Sequence, residues 1–532
     1  MKRQILNQTA IFFTLALFMI PAISAASEMG DLTIDIEIAT TSLHEWMPSV
    51  TYNPIDNEFL VLWHTTGVRE EGGERMYSVH AQRISPDGEL LGEPFSPVES
   101  YGPERRILPR AAHNPFTNEY MVCFARGQEV TEWDPFITLI ESDGSPLYGP
   151  VPLSEEPTKA NHVNIVFNSE RRQYLVVYND SRNGVANVYG VVVSEDGTIV
   201  KEDFTLTAAV EGTDGGRINA YPCYNPKDDT YLINWEDFRH ASDWRDPGDI
   251  YGALLDGDGT IKENDIPMVD DYRKDDEGDQ RVQNIVYNPD RNEFLASWWD
   301  SSPSLEGGAG VVGRIINSDG IPEGSDYVVA DAPGFQSFPH LVYVEDRQMY
   351  FVVWDDNRNE NPDTEGENED VYAKWLDSTG EPVGSADIPI CIEERNQGYS
   401  EVAYSPVMNR FLIVWRNEVE EEVLEEGGSG HVVESGGNVM GKIYGQPSFL
   451  TGRVVEQTTG SPVEDAFVVV IGPSSPSLLA TNIGGWFAIG EYTQPVGTYL
   501  IVVFKFGYHI SIQLVHYEGA PIKSTIEMSK WW

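Results

Sequence analysis

Apolar and polar positions along the chain fall into one phrase that returns seven times, of the form Tyr-Asn-Pro-x-x-Asn-Glu-Phe-Leu-Val-Val-Trp. Its first aromatic or histidine is Tyr52, His113, Phe167, Tyr224, Tyr287, Tyr343 and Tyr404 in turn. Seven residues after each comes Phe59, Tyr120, Tyr174, Tyr231, Phe294, Tyr350 or Phe411, and four further on Trp63, Phe124, Tyr178, Trp235, Trp298, Trp354 or Trp415. The repeats lie 61, 54, 57, 63, 56 and 61 residues apart while the internal spacing of seven never varies, so insertions are confined to other places.

Each phrase resolves into strands. The run ending at Tyr-Asn-Pro is strand A, and Pro with its Asn or Asp neighbours makes a tight turn. The apolar run after it is strand B, buried on both faces because it is apolar at nearly every position. Strand C is seen in Val188-Tyr189-Gly190, Ile250-Tyr251-Gly252 and Val371-Tyr372-Ala373. It ends at a hairpin turn, Asp87-Gly88, Asp143-Gly144, Asp196-Gly197, Asp258-Gly259, Asp319-Gly320 or Thr379-Gly380, where φ > 0 is required. A short outer strand D, such as Glu93-Pro94-Phe95-Ser96-Pro97-Val98, completes the unit.

Four-stranded sheets buried on both faces and recurring at this period match propeller blades stacked round an axis, whereas a linear array would leave two apolar ends exposed. The seventh repeat lacks the Asp-Gly turn and the outer strand, while residues 31–38 alternate like a strand and belong to no repeat. They are expected to supply the missing strand of blade seven and close the ring. The expected fold is all-β: a seven-bladed β-propeller plus a small C-terminal β-sandwich. The pattern over residues 48 to 446 resembles the Tyr-Asn-Pro/Leu-Val-Val-Trp repeats of secreted bacterial and archaeal propeller proteins, a resemblance that implies a fold and no activity.

From residue 449 the periodicity changes to short strands between Gly and Pro turns, as in Thr459-Gly460-Ser461-Pro462-Val463-Glu464-Asp465-Ala466, Thr481-Asn482-Ile483-Gly484-Gly485-Trp486-Phe487 and Pro495-Val496-Gly497-Thr498-Tyr499. The order of these motifs is similar to the carboxypeptidase-regulatory-like domain, with its transthyretin-like, carbohydrate-binding-like fold, although Asn482 stands where that family has Asp. The resemblance implies an accessory domain without chemistry of its own.

At the other end, Lys2 and Arg3, the apolar run Ile11–Ile20 and the small residues Ser24 and Ala26 read as a secretory leader cleaved after Ala26. The boundaries expected are therefore 1–26 for the signal peptide, 27–447 for the propeller and 448–532 for the sandwich, in a secreted or cell-envelope protein. The formal charge is -50. Residues 449–532 hold six acids against four bases, a net of -2, so the acidity belongs to the repeats. Such a surface repels phosphate backbones and anionic lipids, which argues against nucleic acid and membranes as partners. Three cysteines far apart, Cys123, Cys223 and Cys391, give neither a disulfide framework nor metal-ligand spacing.

Catalytic motifs are scarce. His431 and Glu434 fit the His-x-x-Glu pair of zinc carboxypeptidases but lie in a Gly-rich insertion with no enzyme domain around them. Asp256-Gly257-Asp258-Gly259 and the acidic stretch Asp355–Asp370 lack the full register of a calcium loop, so no cofactor is expected, calcium being the one cation considered. A sharper signal is Asp-x-Arg just after strand B: Asp180 and Arg182, Asp237 and Arg239, Asp356 and Arg358. A polar residue precedes the Tyr of strand C in the same repeats, namely Asn187, Asp249 and Asp370. The expectation is a salt bridge tying the B–C loop to the start of strand C, with a polar ligand at the channel mouth as the functional alternative. The B–C loops and the links between repeats vary in length and share one end, which marks that end as the binding face. These features point to an extracellular binding or adhesion protein whose loop face engages a protein, a glycan or a cation-rich surface. The alternative is a propeller-type glycoside hydrolase or lyase with acidic residues in the axial funnel, and a third reading is a structural cell-envelope protein with a wide apolar patch.

Overall fold

The computed structural model describes residues 32–531 apart from 42–43, 69–74, 99–104, 128–132, 155–157, 208–214, 240–246, 270–278, 303–304, 306, 360–367, 394, 425–430, 474–476, 491–494 and 519. The leader assigned to residues 1–26 lies outside the described residues.

The chain is almost entirely β and propeller-like. Seven four-stranded sheets follow one another, each antiparallel and in A-B-C-D order in the first six repeats, beginning with His44–Asn53, Glu58–Val68, Arg75–Ile84 and Leu90–Phe95. In the last sheet strands A to C are Gln397–Ser405, Arg410–Leu424 and His431–Gly445, and the outer position is taken by Leu32–Ala39, antiparallel to strand C. The invariant spacing of seven has a simple cause. It sets the first and second aromatics of each phrase directly opposite across the A–B hairpin, with ring centroids 4.8 to 5.4 Å apart in all seven repeats. The turn between them is fixed by a left-handed residue five places after the first aromatic, Asn57, Asn118, Arg172, Asp229, Asn292, Gln348 or Asn409. In five repeats the Asn after the first aromatic accepts backbone N–H groups of that turn, as Asn53 does from Ile55 and Asp56. The C–D hairpins all carry a glycine with positive φ, from Gly88 to Gly380.

Apolar side chains fill the spaces between adjacent sheets. The A strands are the innermost, and each contacts the A strand of the next sheet in a cycle that returns from the seventh to the first. At the return, Ser405 Oγ donates to Asn57 Oδ1 at 2.9 Å, Val50 N to Glu401 Oε2 at 3.2 Å, and Ile36 and Ile38 pack with Phe59, Trp63 and Leu412.

Residues 448–530 form two further sheets around one core of Val454, Phe487, Val468, Tyr499, Ile501 and Ile526. One is Trp486–Gly490, Ser448–Glu456 and Ile522–Met528, and the other is Ser477–Ala480, Phe467–Ile471, Gly497–Phe504 and Ser511–Tyr517. This unit docks on the first A–B turn. Asn482 Nδ2 donates to Pro54 O at 2.9 Å, and Trp486 Nε1 and Arg453 both donate to Ile55 O, at 2.9 and 3.1 Å.

Candidate functional site at the ring axis

All seven A strands break register at the same place, between Trp46 and Ser49, Ile107 and Arg110, Asn161 and Asn164, Ile218 and Tyr221, Arg281 and Asn284, Ser337 and His340, and Gly398 and Glu401. In six of them the bulged residue has positive φ although none is glycine: Met47, Leu108, His162, Asn219, Phe338 and Tyr399. Held by the neighbouring sheets, such bulges re-aim the side chains that follow. The residues re-aimed here are Ser49, Arg110, Asn164, Tyr221, Asn284, His340 and Glu401, all polar, one from each innermost strand.

Four of these meet across the axis. Arg110 of the second repeat pairs with Glu401 of the seventh at 2.8 Å, and their side chains are 21% and 9% exposed. His340 Nε2 lies 3.8 Å from the same carboxylate oxygen, and its ring meets Tyr221 edge-on at 6.1 Å. The Arg110 charge and the Tyr221 phenol also act on each other. Burial lowers the His340 pKa, and the Arg110 charge adds to that against the pull of Glu401, so the imidazole is neutral at neutral pH. Burial raises the Tyr221 phenol above its usual range, with Glu401 and Glu236 pushing the same way, so it remains protonated. Glu236, 2% exposed on strand B of the fourth repeat, accepts from Asn219 Nδ2 at 2.8 Å. A guanidinium, a neutral imidazole, a protonated phenol and the Glu401 carboxylate therefore act on one another in a small space, with Glu236 acting on the phenol, a combination suited to acid–base chemistry or recognition of hydroxyl groups.

Toward the loop end lies a half-buried aromatic row from three consecutive repeats. Phe338 and Tyr399 have centroids 5.1 Å apart, Tyr399 and Trp46 6.4 Å, and the Arg416 guanidinium sits 3.7 Å from the Trp46 ring centroid. Beneath the row, Asp355 accepts from the backbone N–H groups of Tyr399 and Ser400 at 2.6 and 3.1 Å. Burial holds its carboxyl well above the usual carboxylate range despite these bonds.

The Asp-x-Arg residues form a different arrangement. Asp180, Asp237 and Asp356 are fully buried, each bonds the arginine two residues on, and Arg182, Arg239 and Arg358 lie 4.6, 4.1 and 4.2 Å over Tyr189, Tyr251 and Tyr372 of strand C. The second carboxylate reached by each guanidinium is Asp203, Asp265 or Asp387, each at 2.7 Å, toward the outer strand. The arginine meets strand C through the aromatic ring, while Asp370 is bonded by Asn359 at 2.8 Å and feels the Arg358 charge. The side chains of His431 and Glu434 lie outside the described residues. Asp256 pairs with Lys262 and Asp258 accepts from Thr260 N, and no group of three or more His, Cys, Asp or Glu among the described residues is placed to hold a metal.

The axial residues escape sequence reasoning because each repeat contributes one of them. The available signal is positional: the third residue before the first aromatic of every phrase is polar.

No family model matches the chain, and no curated protein is similar to it. Among solved structures, a Penicillium chrysogenum α-L-arabinanase complexed with arabinobiose aligns at 13% identity and a TM-score of 0.45, over 66% of this chain and 99% of that one. The catalytic domain of a Coprinopsis cinerea GH62 α-L-arabinofuranosidase aligns at 10% and 0.32, over 77% and 95%. An N-acetylgalactosamine deacetylase from F. plautii aligns at 14% and 0.34, over 56% and 93%.

Proposed function

We propose that the ring is a seven-bladed β-propeller, followed by a carboxypeptidase-regulatory-like β-sandwich at 448–532, in a chain secreted through a leader at 1–26, and that its axial funnel is the active site of a hydrolase acting on neutral glycans. Glu401 and Glu236 are the carboxyl pair such chemistry needs, one protonating the leaving oxygen while the other activates water or attacks the sugar. Tyr221 feels both carboxyl groups and His340 lies beside Glu401, so both serve as proton-bearing groups, Arg110 orients Glu401 across the axis, and Trp46, Phe338 and Tyr399 give sugar rings an apolar platform. The formal charge of -50 disfavours uronate-bearing polymers and leaves neutral ones.

The observation that supports this reading is the meeting of Arg110, Tyr221, His340 and Glu401, from four different repeats, at the axis beside a second carboxyl group. It rests on these residues and not on the likenesses above. The test is reducing-sugar release from a panel of neutral and acidic polysaccharides. Wild-type protein releases sugar from a neutral polymer, and Glu401→Gln and Glu236→Gln each cut the rate about 100-fold or more. The reading fails if no polymer is cleaved or if both variants keep full activity. A second reading, glycan binding without chemistry, is supported by the aromatic row alone. It predicts retention on a polysaccharide affinity gel that is lost in Trp46→Ala and Tyr399→Ala, with no product formed.

A further inference from the structure

The four-stranded sheet of the C-terminal unit has one side in the shared core and the other in solvent. In a one-sided antiparallel sheet the solvent positions are ordinarily polar. Here most are apolar: Phe467, Ile471, Leu478, Ile512 and Leu514 are 46, 40, 52, 65 and 67% exposed, with Phe467 stacked on Phe504 at 5.3 Å, and the polar pair Thr498 and His516 lies at one end. The edge strand Ser511–Tyr517 shows that this is patterning and not a shortage of polar residues. Gln513 turns inward, where it accepts from Ser524 Oγ at 3.1 Å, while its neighbours Ile512 and Leu514 face outward. The cross-strand pairs Leu500–Leu514 and Val502–Ile512 make the outward side one continuous apolar surface, bounded at one end by Thr498 and by His516 with Glu518 3.9 Å away.

We propose that this face is a self-association surface and that its occupant is a second copy of the chain, packed sheet on sheet about a two-fold axis. Two observations favour a copy of itself. The five exposed side chains with the partly exposed Leu500, Val502 and Phe504 present about 500 Å² per copy, so two faces bury about 1,000 Å², the lower bound for a specific interface. Charge supplies the second. Of the formal -50, only -2 lies on residues 449–532, from six acids and four bases, so two copies repel one another at the repeats and meet at least electrostatic cost here.

Sedimentation velocity on the full chain, from about 1 to about 100 µM, tests the proposal. The expected result is a monomer–dimer equilibrium that tightens as salt is raised, because screening removes repulsion while apolar burial is retained. The paired variant I512E/L514E weakens association at least about 100-fold and Leu478→Glu about 10-fold, with melting temperatures unchanged at concentrations where the wild type is monomeric, because all three side chains are exposed in the monomer. A monomer at every concentration overturns the proposal, as does a dimer indifferent to these substitutions. Flotation of monomeric protein with phosphatidylcholine vesicles, abolished by I512E/L514E, would overturn it in favour of a lipid surface.

Discussion

Arg239 offers the clearest separation of a structural brace from a ligand contact. Its guanidinium lies 4.1 Å over Tyr251, bonds Asp237 at 2.9 and 2.5 Å and reaches Asp265 at 2.7 Å, with its side chain 10% exposed. Arg239→Ala removes a desolvated cation–π contact of about 2 kcal/mol. It also breaks an ion pair whose acid is fully buried, a loss that runs to about 3–5 kcal/mol when the remaining charge has no other partner. Asp237 keeps partners here, since Trp235 Nε1 donates at 3.0 Å, the backbone N–H of residue 239 donates at 2.9 Å, and Arg217 lies 3.5 Å away. The stack and the weakened pair together are therefore expected to cost about 3 kcal/mol, not the sum of the two maxima. At about 2 °C per kcal/mol for a chain of this size, the melting temperature falls by about 6 °C. Thermal denaturation of Arg239→Ala, Asp237→Asn and the double variant measures this, and the double variant should be less destabilised than the two singles added, because either change removes the same pair. A shift below about 1 °C, or strict additivity, would refute the brace; loss of glycan turnover or binding at unchanged stability would assign Arg239 to a ligand.

Acid should weaken the fold through buried neutral histidines. Burial lowers the His64 pKa to about 3 and that of His162 to about 4, so between about 6.5 and those values the unfolded chain holds protons the folded chain lacks. Stability is then fully present above about 6.5 and lost as the pH falls, at roughly 1 kcal/mol per pH unit for each histidine, and His64→Gln should flatten that limb of a melting-temperature profile. Asp355 acts with the opposite sign. Its raised carboxyl keeps a proton the unfolded chain has lost, so its contribution declines as pH rises above the usual carboxylate range, and Asp355→Asn should gain stability relative to wild type at pH about 8 compared with about 5. Ile36→Ala, in the N-terminal strand of the last sheet and 5% exposed, should cost about 2–4 kcal/mol in thermal denaturation; a silent substitution would mean that the strand does not secure the ring. Burial raises the pKa values of Cys123, Cys223 and Cys391 to about 12, so a thiol reagent at neutral pH should label all three only after denaturation.

The strands, their hairpins and the repeat phase were legible in the chain because they are local. The paired aromatics at a spacing of seven, the Asn that bonds its own turn and the Asp-Gly hairpins each act within a dozen residues, so their spacing survives every insertion between repeats. The Asp-x-Arg pairs were legible for the same reason, but their second carboxylates were not, since Asp203, Asp265 and Asp387 lie 21, 26 and 29 residues from Arg182, Arg239 and Arg358 and are brought back by strand D. The bulges left no residue signature: Met47, Leu108, His162, Asn219, Phe338 and Tyr399 share a left-handed backbone and no side-chain type. What the tertiary structure alone decided is the axial group. Arg110 and Glu401 stand 291 residues apart in sequence and 2.8 Å apart in space because the sheets close on themselves, and only closure turns seven unrelated positions toward one line. Periodicity resides in the residues, whereas convergence is a property of the ring.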